Sequence, residues 1–254
     1  MNNKKSRYAS DYALKFALFC IVCAVLTLIL SALIFKFDSR TRGVLRDTVG
    51  ESSSLSPLTV VIDAGHGGED GGASGITGEL EKDLNLKISF LIADMLRANG
   101  VNVIMTRSED ILLYDPDSDY HGRKKLLDLT ARLDIARATE NSVFVSIHMN
   151  AFPQTQYSGL QVYYSKNDPR SKIIADTVQN NVKMHIQPEN SRRTKGANSS
   201  IFLLDRLETP AVLIECGFLS NPTECKALSN SEYQRDLAFV IFCSLMDYIS
   251  NNNS

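Results

Sequence analysis

The chain has 254 residues, 27 Lys and Arg against 29 Asp and Glu, and a formal net charge of -2. Such a balance provides no basic footprint of the kind a nucleic-acid interface needs, so no nucleic-acid partner is expected. Of the 5 cysteines, Cys20 and Cys23 fall in an apolar run, while Cys216, Cys225 and Cys243 lie beyond it; that odd remainder argues against a disulfide framework, their spacing matches no zinc finger, and they read as small buried apolar residues.

Taken in order, Lys4, Lys5, Arg7 and Lys15 in the basic stretch 1–15 precede an uncharged apolar run at residues 16–35. A helix of about 20 apolar residues spans a bilayer, and positive charge before it predicts a cytoplasmic N-terminus with the rest outside. The run is read as a transmembrane signal anchor, with a cleaved signal peptide as the alternative and Ser31-Ala32 as its weak cleavage candidate. Residues 36–56 are polar, end near Ser52-Ser53-Ser54 and Pro57, and read as a linker. Residues 57–254 remain for one domain with a sizeable core.

The β-branched run at 58–62 predicts a buried strand that stops at Asp63-Ala64-Gly65-His66-Gly67-Gly68. Glycine there permits close approach of backbone and ligand, and His66 is a candidate metal ligand or base. Leu84, Ile88, Leu91, Ile92 and Met95 share one face of a helix expected at 81–99, with Gly100 as its stop. A strand at 101–106, a polar loop through Asp115-Pro116-Asp117, and a helix at 123–139 with Leu126, Leu129, Leu133 and Ala136 inward come next. A third strand at 143–147 leads into His148, Met149 and Asn150. Beyond it are a strand at 160–164, a helix at 171–185, an apolar stretch of undecided type at 200–204, a strand at 211–214 leading into Glu215, and a last helix at 232–249.

Strands alternating with helices imply an α/β domain with a mostly parallel central sheet flanked by helices. Such sheets carry their sites at the carboxyl ends of the strands. If the strands at 58–62, 143–147 and 211–214 are parallel neighbours, His66, His148 and Glu215 converge at one edge. His121 sits in a polar loop and His185 ends a helix, where it complements the dipole. A catalytic zinc commonly takes two histidines and a carboxylate and leaves a position for water. Glu79, Glu81 and Asp83 all lie at the start of the helix after the His66 loop, and local physics does not choose among them.

The motifs Asp63-Ala-Gly-His-Gly-Gly68, Glu81-Lys-Asp83, Ser146-Ile-His-Met-Asn-Ala151 and Glu215-Cys-Gly-Phe-Leu-Ser-Asn221 occur in that order. In them the chain resembles the zinc-dependent N-acetylmuramoyl-L-alanine amidases of the Amidase_3 family, over nearly all of residues 58–250. The resemblance implies that His66, Glu81 and His148 bind Zn2+, that Glu215 is the catalytic carboxylate, and that the reaction cleaves the amide between the lactyl group of N-acetylmuramic acid and L-alanine in peptidoglycan. Within the family, a short chain with an N-terminal apolar segment and no wall-binding repeats is most similar to the spore-cortex amidases. That similarity implies a role in forming muramic-δ-lactam, a catalytic domain outside the cytoplasmic membrane at the forespore envelope, and an accessory protein for activation or positioning. Asn150 is a candidate substrate contact, with a turn residue as the bland alternative. Arg192, Arg193 and Lys195 form a small basic cluster, either solvated surface or a partner for stem-peptide carboxylates. Two other readings compete: a zinc peptidase of stem peptides, against which the lack of a His-Glu-x-x-His helix weighs, and a non-catalytic peptidoglycan-binding module, which predicts a missing ligand or base.

Overall fold

Strand β1 (Thr59–Ala64) is buried from Val60 onward. It pairs in parallel with β2 (Asn102–Met105) and β3 (Ser142–Asn150), so that Val61 stands between Ile104 and Phe144. The computed structural model that shows this describes residues 58–114 and 121–252. The expected apolar span at 16–35 and the linker at 36–56 lie outside these residues, and among the described residues no helix is long and apolar enough to cross a membrane. Strand β6 (Ala211–Phe218) runs parallel to β3, and β4 (Gln161–Tyr164) runs antiparallel to β6 with β5 (Lys195–Gly196) parallel at its outer side. The order is β2-β1-β3-β6-β4-β5.

The sheet is therefore mixed, where the alternation of elements led to a mostly parallel one. The reversal has a simple origin. A parallel return needs a crossover of a dozen or more residues, generally a helix, and the connection from Asn150 to Gln161 holds none.

Helices α1 (Glu81–Ala98), α3 (Arg170–His185) and α6 (Ser231–Asn252) cover one face, where Val60, Ile62, Val145 and Ile214 meet Ile88, Ile92, Val178 and Ile241. Helices α2 (Lys124–Ala138) and α4 (Phe202–Arg206) share the other face with Val61 and Phe144. Successive strand residues point to opposite faces, so a sheet covered on both sides needs nearly continuous apolar strands. Each fully buried aliphatic side chain contributes about 2 kcal/mol.

Four local details differ from the sequence reading. Leu126 is 43% exposed, and the inward stripe of α2 holds Asp128 and Arg132 beside Leu133 and Ala136. The undecided stretch at 200–204 leads into α4. A further helix, α5 (Pro222–Ser229), starts at Asn221, whose side chain accepts from the Thr223 and Glu224 amides with proline just inside, a start signal legible in Asn221-Pro222. Strands β3 and β6 also run further than expected, which places His148 and Glu215 inside strands rather than just past them.

Candidate active site

The site is built from the floor up. Asp63, near the end of β1, is buried and accepts hydrogen bonds from Thr106 Oγ1 at 2.7 Å, Arg132 Nη1 at 2.7 Å and Ser146 Oγ at 2.6 Å. Burial alone raises a carboxyl, but Arg132 and these hydroxyls outweigh it and hold Asp63 below its ordinary value of 3.8. Arg132 also donates to Ala64 O at 2.8 Å, His66 O at 2.7 Å and Asp128 Oδ2 at 2.8 Å. A second buried cation, Arg107, donates to Ala64 O at 2.8 Å, Gly65 O at 3.1 Å and Lys82 O at 2.8 Å. The carbonyls of Ala64, Gly65 and His66 are thus all fixed by two guanidinium groups, a geometry suited to the planar fork of arginine.

Within this clamp His66 adopts φ 61, a left-handed conformation rare for a residue with a side chain. Two glycines make the turn possible. Gly67 has φ 142, and at Gly65 an added Cβ runs into the imidazole of His148. From the opposite face of the sheet, Glu81 in the first turn of α1 reaches over the rim. Its Oε1 lies 2.9 Å from His148 Nδ1 and 3.3 Å from His66 Nε2, and accepts from Met149 N at 3.0 Å, while Oε2 accepts from Ala73 N at 2.8 Å. Burial acts to raise Glu81, but the bonds from His148 and His66 hold it far below the usual carboxylate range. Asp70 Oδ2 lies 2.9 Å from Nδ1 of His66, the ring nitrogen turned away from Glu81.

One donor atom from each of His66, Glu81 and His148 falls within 4.8 Å of the others. Tetrahedral zinc ligands at about 2.1 Å from the ion stand about 3.4 Å apart, so two histidines and one buried carboxylate fit the ion in chemistry and in spacing. Of the carboxylates the sequence left open, Glu79 instead accepts from Thr77 Oγ1 at 2.6 Å and from Cys225 Sγ at 3.3 Å, and Asp83 is exposed.

Glu215 is the Cα partner of His148 across β3 and β6. Its side chain borders a cavity of about 270 Å³ shared with His66, Asp70 and His148. Its Oε2 is buried with no hydrogen-bond partner among the described residues. Burial raises this carboxyl up to about 7, with His148 pulling it down and Glu81 pushing it further up. A buried acceptor left unmatched costs about 1–3 kcal/mol, and such groups collect at functional sites. Asn150 stands outside this cluster, in a separate cavity beside Gln161 and Phe218.

Residues 60–245 match the family model for N-acetylmuramoyl-L-alanine amidase. The chain belongs to this family. The amidase is 35% identical over 200 residues to the germination-specific N-acetylmuramoyl-L-alanine amidase of Bacillus subtilis, covering 78% of the chain and 83% of that relative. Among solved structures, it is similar to the CwlD amidase from Clostridioides difficile, solved in complex with the GerS lipoprotein, at TM-score 0.71 and 37% identity over 76% of this chain and 98% of that one. It is also similar to the amidase AmiC2 of Nostoc punctiforme, at TM-score 0.66 and 30% identity over 78% and 99% of the two chains.

The sequence motifs thus brought together His66, Glu81, His148 and Glu215. The clamp beneath them was not foreseen. Asp128 and Arg132 stand four apart on the inward face of α2, a spacing that signals a paired charge. Nothing local singles out Arg107, whose partners come from β1 and α1.

Proposed function

We propose that the amidase is zinc-dependent, that His66, Glu81 and His148 hold the ion, and that Glu215 moves the proton during hydrolysis of the bond between the lactyl group of N-acetylmuramic acid and L-alanine. One observation carries the reading: three ligand-type atoms converge within 4.8 Å beside a buried carboxylate oxygen that has no hydrogen-bond partner among the described residues. Bound zinc supplies polarisation of the carbonyl and acidification of water. Glu215 takes a proton from the water that attacks the carbonyl carbon and returns it to the alanine nitrogen as the C–N bond breaks. A carboxyl raised toward neutrality by burial suits both halves of that transfer. Glu81 is held for its task by the Ala73 amide, and Asp70 faces the nitrogen of His66 that points away from the cluster.

The proposed biological setting is supported by the similarity to the germination-specific relative. In this reading the enzyme strips stem peptides from spore-cortex glycan so that muramic-δ-lactam can form, and residues 16–35 anchor residues 57–254 outside the cytoplasmic membrane at the forespore envelope. An accessory protein that activates or positions the enzyme is part of the proposal, supported by the lipoprotein complex of the Clostridioides difficile relative.

The test is mass spectrometry of peptidoglycan treated with the zinc-loaded full chain and with Glu215→Gln. The expected products are intact stem peptides with free N-terminal alanine and glycan with bare muramic acid. Glu215→Gln is expected to keep its zinc and to lose about 100- to 10,000-fold in turnover. Cuts inside the stem peptide would establish the peptidase reading instead, and normal turnover in Glu215→Gln removes that residue from its role.

A further inference from the structure

We propose that the cavity beyond Glu215 is the subsite for the departing stem peptide, and that Arg192 and Lys195 recognise its first free carboxylate, that of the second residue. The inference rests on the amidase reading above and adds to it where the leaving group sits and what selects it.

The sheet order gives the direction. From β1 outward the rim presents His66, then His148 on β3, Glu215 on β6, and then Gln161 on β4, the Cα partner of Glu215. Lys195 follows on β5. The group that protonates the leaving amine stands between the metal-binding cluster and the β4–β5 side, so the peptide attached to that amine departs over β4 and β5. There lies a cavity of about 210 Å³ whose lining includes Asn150, Tyr157, Gln161, Arg192, Lys195 and Phe218, and no carboxylate. Asn150 and Phe218 are paired in register just beyond His148 and Glu215 on the same strands.

Two cations face this space, and among the described residues neither makes a salt bridge, although Glu224 is near enough to Arg192 for their charges to interact. Arg192 is held by neutral groups alone. It donates from Nε to Ser158 O at 2.6 Å and from Nη1 to Gln161 Oε1 at 3.1 Å, and its guanidinium carbon lies 4.4 Å from the centre of the Phe218 ring. Among the described residues nothing accepts from its Nη2, and Lys195 makes no ion pair. The neighbouring acid, Glu224, is already committed, accepting from Gly159 N at 2.7 Å and Phe218 N at 2.8 Å. A guanidinium oriented by two bonds and stacked on a ring, with one nitrogen spare, is a ready donor to a carboxylate. In stem peptides the first alanine is consumed by the amide bond, so the carboxylate closest to the cut belongs to the D-glutamate that follows it.

The experiment compares two released peptides, L-Ala-γ-D-Glu-diaminopimelate and the same peptide with the glutamate α-carboxylate amidated. Binding to the full chain is measured by calorimetry. The carboxylate form is expected to bind about 10- to 100-fold more tightly, the range of a charge-assisted hydrogen bond. Arg192→Gln is expected to erase the difference and Arg192→Lys to recover part of it. Lys195→Gln, at an exposed residue whose side chain makes no ion pair among the described residues, is expected to shrink the difference and serves if Arg192→Gln fails to fold. Equal binding of the two peptides, or a preference intact in both Arg192→Gln and Lys195→Gln, overturns the proposal. Hydrolysis is read separately in the same preparations: a retained preference without amide cleavage would overturn the proposed hydrolysis at the neighbouring cluster and leave the carboxylate site standing.

Discussion

The two halves of the cleft are held in opposite ways. On the β1 side every carbonyl from Ala64 to His66 is gripped by a buried guanidinium, and the Asp63 carboxylate takes three hydrogen bonds. On the β6–β4 side, among the described residues, Glu215 keeps an oxygen without a hydrogen-bond partner, and Arg192 and Lys195 make no salt bridge. The first half spends its charges on rigidity, and the second leaves its charges free for what enters. A metal site needs ligands fixed before the ion arrives, whereas proton transfer and substrate capture need groups not already satisfied.

Breaking the rigid half should have the largest effect. Arg132→Met leaves Asp63 and Asp128 buried without their cation, and a loss of about 3–5 kcal/mol in denaturant unfolding is expected. The pH dependence has a definite sign. Asp63 has a folded-state value below its ordinary 3.8, so its contribution is present above pH 4 and fades as pH falls through the folded value. Asp63→Asn should therefore flatten the acid limb of the stability curve, and a limb unchanged in that variant would show that the clamp does not carry it. Next in size, Gly65→Ala pushes a methyl into the His148 ring. The expected result is metal affinity about 10- to 100-fold weaker by competition with a chelator, with the α/β circular dichroism retained. Unaltered affinity would mean that His148 moves freely. The smallest effect belongs to the open half. Asn221 caps α5 and also donates to Thr155 O at 3.0 Å and Tyr157 O at 3.2 Å. Asn221→Ala should cost about 1 kcal/mol and raise hydrogen exchange at 151–158 while leaving the His66 loop protected. Equal loosening of both regions would dissolve the contrast.

The sequence exposed His66, His148 and Glu215 and hid the clamp for one reason. Residues in contiguous motifs, such as His66 in its glycine turn or Glu215 before Cys216-Gly217, announce themselves by local chemistry. Arg107 and Arg132 act on the carbonyls of Ala64, Gly65 and His66, 42 to 68 positions away in the chain, and such pairings exist only once the strands are ordered. The alternation of elements foretold the α/β layers but not the direction of β4, because direction depends on a connection that lacks a helix. Leu126 faced the wrong way because an apolar count cannot tell a stripe that buries leucine from one that buries an ion pair.

The reversed strand has one more consequence. Since β4 runs back against β6, the connection from β3 to β4 borders the cleft itself, and its residues 151–158 are exposed. Doubling the length of a flexible loop costs only about 0.6 kcal/mol. Insertions there can reshape the entrance for new wall chemistries while the buried arginines and the strands beneath them stay as they are. The fold thus separates what must be inherited intact from what is free to diversify.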